Sequence, residues 1–332
     1  MRFVVAILLS LFLFPPALAA PSKTVSLEEP AWITSGAWVR GELVVLDVAT
    51  NRLAWIRQGR LAPLNPFLSV PTKTHSLGPG GDLLVSSAED AFWWERVRLS
   101  EDGWTIQGSW SCETCGVTDW APVHEKLVFA VGDVRQEPAD DESQAEWLTG
   151  FFWVSPAGPE LIYQLPETDY PLYLHGLQLL AVAGGNAYAV APEPIEPSSE
   201  GPRRLAILEF PRNQRAWRTL TLLPHLPPEL SFQDDTSFAE TFAAVSALNG
   251  PVRLLAWEER LYLVLRSPLG FEVWHVATDD GGLHFKDTLP SSDFLTVIPG
   301  PSSWAVLLKG PVTGFGQQRI NSVVHVPAER FR

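Results

Sequence analysis

Phe271-Glu-Val-Trp-His-Val-Ala-Thr278-Asp-Asp280-Gly-Gly282-Leu-His-Phe285 reads as a strand, a sharp turn and the start of a return strand. Val273, Trp274 and Val276 are β-branched or aromatic, while Asp280, Gly281 and Gly282 tolerate turn geometry. Weaker copies recur about every 50–60 residues, a period that marks a repeat architecture. The copies are Leu43–Ile56, turning near Thr50-Asn51, Ala91–Ile106, turning at Asp102-Gly103, Phe151–Tyr163, turning at Pro156-Ala-Gly158, and Arg204–Trp217, turning at Pro211-Arg-Asn213. A last copy, Asn321–Pro327, has its outgoing strand but too little chain to return.

Between these hairpins lies a second pair of strands with its own turn. Val123–Val131, Leu177–Val182 with Asn186–Val190, and Val252–Trp257 with Leu261–Leu265 are the clear examples. Each unit therefore holds four antiparallel strands, here called A to D from first to last. An all-β chain repeating such units predicts a β-propeller rather than a single sandwich. Six blades are expected, with five and seven as alternatives because blade one is hard to parse. The sixth unit lacks a D strand, and residues 24–33, with Val25, Leu27, Trp32 and Ile33, are expected to supply it. Such a closure joins the chain ends in one sheet and covers an edge that would otherwise invite aggregation.

Arg2, the apolar run Phe3–Phe14 and the small residues up to Ala20 have the layout of a cleaved export signal, so residues 1–20 are read as a signal peptide and 21–332 as one propeller domain. No later run reaches the roughly 20 apolar residues that span a bilayer, so an exported, periplasmic or extracellular chain without membrane insertion is expected. The excess of 38 acidic over 24 basic residues disfavours nucleic acid as a partner. Cys112-Glu-Thr-Cys115-Gly reads as a small-loop disulfide. Half a zinc site would need a second cysteine pair, and a haem attachment would need His where Gly116 stands. A redox-active pair would need a thiolate-stabilising environment that spacing alone does not supply.

Thr278-Asp-Asp280-Gly-Gly282-Leu-His-Phe285 resembles the Asp box, Ser/Thr-x-Asp-x-Gly-x-Thr-aromatic, of sialidase-like and other BNR-repeat propellers, with His284 in place of the usual Thr. Ser100-Glu-Asp-Gly-Trp104 is similar to a box shortened by one residue. The resemblance implies a propeller with these boxes on C–D hairpins, and it implies a structural role: Thr278 and Asp280 order the turn, Gly282 takes positive φ, and Phe285 packs back between sheets. The catalytic members also carry an Arg-Ile-Pro segment, which this chain lacks, together with an arginine triad and a Tyr–Glu pair. Other members are noncatalytic.

In a four-stranded blade the A–B and C–D turns share one face and the B–C and D–A connections share the other. The long segments 132–149 with Asp140 and Asp141, 191–203 with Glu193, Glu196 and Glu200, and 224–241 with Asp234 and Asp235 all fall on the second face. Long loops gathered on one face mark binding. Their carboxylates suit calcium or a cationic partner, but no loop has the Asp-x-Asp-x-Asp-Gly spacing, and no cofactor or metal site is expected. Trp93, Trp94 and Trp153, at C-strand starts near that face, are candidate sugar platforms. His75, His124, His175, His225, His275 and His325 fall almost 50 residues apart but in unlike strand contexts, which argues against a ring of ligands. The expectation is a noncatalytic binding or scaffold propeller that recognises a protein or glycan through its acidic loop face. The alternative is a glycoside hydrolase or lyase of the sialidase-like type.

Overall fold

The computed structural model describes residues 21–64, 71–77, 81–88, 91–100, 103–136, 146–165, 178–192, 205–212, 214, 216–224, 252–267, 270–289, 294–310 and 319–332. The segment read as a signal peptide lies outside them. So do Asp140, Asp141, Asp234 and Asp235.

Six four-stranded antiparallel sheets form the blades of a propeller. Blade one is β2 (Ile33–Val39), β3 (Glu42–Asp47), β4 (Arg52–Arg57) and β5 (Arg60–Pro63), and blade two is β6 (Pro71–Ser76), β7 (Asp82–Ala88), β8 (Phe92–Ser100) and β9 (Gly103–Cys112). Blade three is β10 (Cys115–His124), β11 (Leu127–Gln136), β12 (Glu146–Ser155) and β13 (Gly158–Gln164), and blade four is β14 (Leu180–Ala183), β15 (Asn186–Pro192), β16 (Leu205–Phe210) and β17 (Arg218–Leu222). Blade five is β18 (Val252–Trp257), β19 (Arg260–Ser267), β20 (Gly270–Val276) and β21 (Leu283–Leu289). Blade six is β22 (Phe294–Ile298), β23 (Ser303–Lys309) and β24 (Ile320–Pro327), completed by β1 (Lys23–Ala31) from the other end of the chain. β1 pairs with β24 from Lys23 opposite His325 to Ala31 opposite Ile320, so the N-terminal strand closes the ring.

One hairpin sits elsewhere than the sequence pattern suggested. Leu43–Ile56 covers β3 and β4, making its turn the B–C connection of blade one, whereas the other copies are C–D hairpins. Asp47 organises that turn by accepting from the Ala49 amide at 3.2 Å and from the Thr50 hydroxyl at 2.7 Å. The true C–D turn of blade one is Gln58-Gly59, with both residues in the left-handed region. It lacks the run of Asp, Asn or Pro that draws an alignment.

Middle strands bury residues of both faces, as expected where each blade is covered by its neighbours: β16, apolar except for Glu209, is buried throughout. Large aromatics fill the wedges between blades. Trp120 of blade three reaches blade two, where its indole N–H donates to the Ser86 hydroxyl at 2.8 Å. Phe331, after a short 3-10 turn at Ala328–Arg330, stacks on Trp304 with ring centroids 4.1 Å apart, and its carbonyl accepts from the Tyr262 hydroxyl at 3.2 Å. Blades five and six are thus tied by the segment that follows β24. Among the described residues no helix is long and apolar enough to cross a membrane.

Candidate functional site

Two of the three tryptophans that sequence suggested as platforms are core residues. Trp94 is fully buried, stacked on Phe92 and Trp110, and its indole N–H donates to the Glu125 carbonyl at 3.0 Å. Trp153 is buried against Phe129, with centroids 5.0 Å apart. Strand alternation decides this: a C strand has neighbouring blades on both sides, so an inward-facing ring becomes wedge filling. Trp93, facing the other way between Ser87 and Ser111, is half-buried. Trp147, which the sequence reading passed over, is 53% exposed at the start of β12.

The Asp-box-like turn is built differently from the resemblance. Asp280 Oδ1 accepts from the Gly282 amide at 2.8 Å, but positive φ falls on Gly281 (74°) and not on Gly282. Phe285 does not pack between sheets. It is 53% exposed and meets Trp274 edge-on at 5.4 Å. The turn leans on blade four instead: the Thr278 carbonyl faces the Arg218 guanidinium at 3.5 Å, and Arg218 is paired with Glu209 at 2.6 Å. Cys112 and Cys115 are disulfide-bonded and buried, linking the D strand of blade two to the A strand of blade three.

The concave site lies on the axis. All six A strands line one cavity of about 780 Å³ that opens among the A–B turns. Its deep end is set by Ser35, Lys73, Thr74, Gln178 and Val297, and its mouth by Arg40, Glu125, Glu258, Glu259 and Pro301. Strand pairing aligns the blades: the fifth residue of each B strand, Leu46, Ser86, Val131, Val190, Val264 or Leu307, faces Ser35, Lys73, Asp119, Leu179, Arg253 or Thr296, each on the A strand except Leu179, which immediately precedes β14. One position of the repeat thus forms a ring, and five of its six residues are polar. In blades one, two, three and six a register shift immediately precedes that residue. A bulge re-aims the side chain that follows it, and of the four polar residues so placed Ser35 and Lys73 line the cavity.

The ring is a network. Lys73 Nζ is paired with Asp119 Oδ1 and also donates to the Trp120 carbonyl at 2.9 Å. Thr296 donates to Gln178 Oε1 at 2.9 Å, joining blades six and four past blade five. The Ser35 hydroxyl accepts from the Thr74 amide at 3.2 Å. Burial raises the Asp119 carboxyl above its usual range, and Lys73 works against that shift. Burial also pulls Arg253 down to about 10, which leaves it charged at neutral pH. His75 is held well below the usual histidine range by burial and by the Lys73 charge, and its Nε2 lies 2.9 Å from the Trp120 carbonyl. Two buried atoms of this region have no hydrogen-bond partner among the described residues, Asp119 Oδ2 and Thr74 Oγ1.

No family model and no curated protein matches the chain. Among solved structures it is similar to U3-55K, with 9% identity over 95% of this chain and 100% of that one, at a TM-score of 0.51. It is also similar to an α-L-arabinofuranosidase from Fusarium graminearum, with 9% identity over 93% of this chain and 99% of that one, at a TM-score of 0.47. At such identities the likeness is one of fold.

At the cavity mouth, the A–B turns of blades one, four and five are Arg40-Gly41, Gly184-Gly185 and Glu258-Glu259, all in the left-handed region. Two successive glutamates in that conformation cost about 1 kcal/mol or more each relative to glycine. Glu259 spans to blade four by accepting from the Gly184 amide at 2.9 Å, and Glu258 pairs with Arg332 at 2.8 Å. The sequence reading missed the cavity because it looked for long loops. The available signal was a polar residue at one strand position repeated across blades, which only the correct A-strand register exposes.

Proposed function

We propose that the protein is an exported, noncatalytic six-bladed propeller that binds a protein or glycan partner, and that the mouth of the axial cavity takes part in recognition. The observation that supports this most is the cavity itself: about 780 Å³, lined by every blade, with charged side chains of both signs at its mouth. Concave sites of this size bury most of a small ligand or an inserted loop. Several of its ionisable groups already have partners: Lys73 pairs with Asp119, Glu258 pairs with Arg332, and Glu259 accepts from the Gly184 amide. A preformed, internally bonded surface suits recognition, whereas carboxylate chemistry on a glycoside needs two carboxyl groups facing each other across the substrate.

The test is a glycan array and a pull-down with the mature chain, run beside fluorogenic glycosides. Arg40→Ala and Glu125→Ala alter the rim without touching the core. The expected result is capture of a partner, weakened about tenfold in the double variant, without turnover. Glycoside turnover would overturn the noncatalytic reading. Capture indifferent to both rim substitutions would remove the cavity mouth from recognition.

A further inference from the structure

We infer that the outer edge of blade two, strand β9, is a self-association surface, on which a second copy of this chain adds its own β9 antiparallel about a two-fold axis. This surface is separate from the axial cavity.

Each blade ends in an outer strand, and a sheet edge presents a row of unpaired N–H and C=O groups that another strand can join. Proteins guard such edges with short strands, charges and proline. Five of the six outer strands are guarded in this way. β5 has four residues with Arg60 and Pro63, and β17 has five with Arg218. β13 carries Pro159 and Glu160, β21 carries Lys286 and Asp287, and β1 carries Lys23, Glu28, Glu29 and Pro30. β9 is the exception. Gly103-Trp-Thr-Ile-Gln-Gly-Ser-Trp-Ser-Cys112 runs for ten residues with neither charge nor proline, and among the described residues no strand pairs with its outer side. Its Thr105, Ile106, Gln107, Ser109 and Ser111 are exposed, Ile106 at 51%. The register shift that skips Gln107 is no guard peculiar to this edge, because the C–D pairs of blades three, four and five shift as well.

Charge selects the occupant. Two copies that each carry a formal net charge of −14 repel one another, so they meet best where neither surface adds charge. Pairing about a two-fold axis sets a strand against its own sequence. On β5, β13 or β17 it would gather Arg60, Glu160 or Arg218 with its own copy in one short ladder, and like charges opposed across strands destabilise the pair. β9 opposes only Gly, Trp, Thr, Ile, Gln and Ser to one another, none of which repels its copy. The contact is isologous, so each ring uses its one uncharged edge and the assembly stops at two. A contact confined to one strand belongs to the small interface class, which makes the dimer weak and leaves monomer at low concentration.

Sedimentation equilibrium of the mature chain from about 1 to about 200 μM should show monomer passing into dimer. Ile106→Lys and Thr105→Lys, made singly, each put a cation on the edge of both copies and should weaken the dimer about tenfold or more, with the unfolding midpoint of the dilute monomer unchanged. If Ile106→Lys lowers that midpoint, Thr105→Lys decides. Thr219→Lys, on the exposed outer strand of blade four, should leave the dimer as it is. Monomer at every concentration overturns the inference, as do species that grow beyond the dimer. So does a dimer that the β9 substitutions leave intact, or one that Thr219→Lys weakens as much as they do.

Discussion

Gly281 of the blade five hairpin lies against the Leu220 carbonyl of blade four so closely that a Cβ on it would come within 2.2 Å of that oxygen. The same relation recurs at the ring closure, where a Cβ on Gly59 would meet the Ser26 carbonyl of β1 at 2.5 Å. In both places a C–D turn in left-handed conformation docks on the outermost strand of the preceding blade. Gly281→Ala combines positive φ with a backbone clash, and the expected loss is about 2–4 kcal/mol in chemical denaturation. Gly184→Ala is the control. That residue also has positive φ (57°) but open space around it, so about 1 kcal/mol is expected. Equal losses for the two would show that docking contributes nothing.

Removing one partner of the Lys73–Asp119 pair strands the other. Asp119→Asn leaves a mostly buried lysine without its carboxylate, at an expected cost of about 3 kcal/mol. Lys73→Met with Asp119→Leu removes both charges, and it should be more stable than the single Asp119→Asn variant. A double-mutant cycle on denaturation midpoints checks this. Additive single losses would mean that the two groups do not interact.

Acid should destabilise the protein well before its carboxylates titrate. Burial depresses His75, His275 and His325 in the folded state, and nearby Lys73, Lys286 and Lys23 depress them further. A base with a lowered folded pKa binds its proton more readily when unfolded. Stability is therefore flat above the unfolded value near 6.5 and falls as the pH drops below it, at up to about 1.4 kcal/mol per pH unit for the buried His75 and by less for the partly exposed His275 and His325. Asp119, raised by burial, works in the opposite direction at lower pH. His75→Gln should flatten the curve of unfolding free energy between pH 6.5 and 5. An unchanged slope would place the titrating group elsewhere.

How much of this was legible from the chain depended on whether the determinants were local. Trp274 and Val276 followed by Asp280-Gly281 form a hairpin within a few residues of one another, and the repeat of that pattern carried the architecture and its closure by residues 24–33. The phase failed in blade one because Gln58-Gly59 is a quiet turn beside the more conspicuous Thr50-Asn51. Tryptophan fate was not local either. Trp93 and Trp94 are neighbours in sequence, yet one is half-buried and the other fully enclosed, because burial depends on the adjacent blade. The ring of Ser35, Lys73, Asp119, Arg253 and Thr296 was invisible for the same reason: its members lie tens of residues apart and meet only once six inner strands surround one axis.

The closure by β1 should be essential to folding. Val25 and Ser26 pair with Val323 and Ser322 of β24, Leu27 packs with Val323 and Ile320, and the Glu28 amide donates to the Gly59 carbonyl of blade one at 2.9 Å. β1 therefore completes blade six and supports blade one together. A chain beginning at residue 32 would expose the edge of β24, with Val323 and Val324 beside it, as a template for another molecule's strand. Size-exclusion chromatography should find this truncation aggregated, and a synthetic peptide of residues 21–31 added during refolding should recover monomer. A monomeric truncation with an unchanged unfolding midpoint would mean that blades one to five hold the ring without the closure.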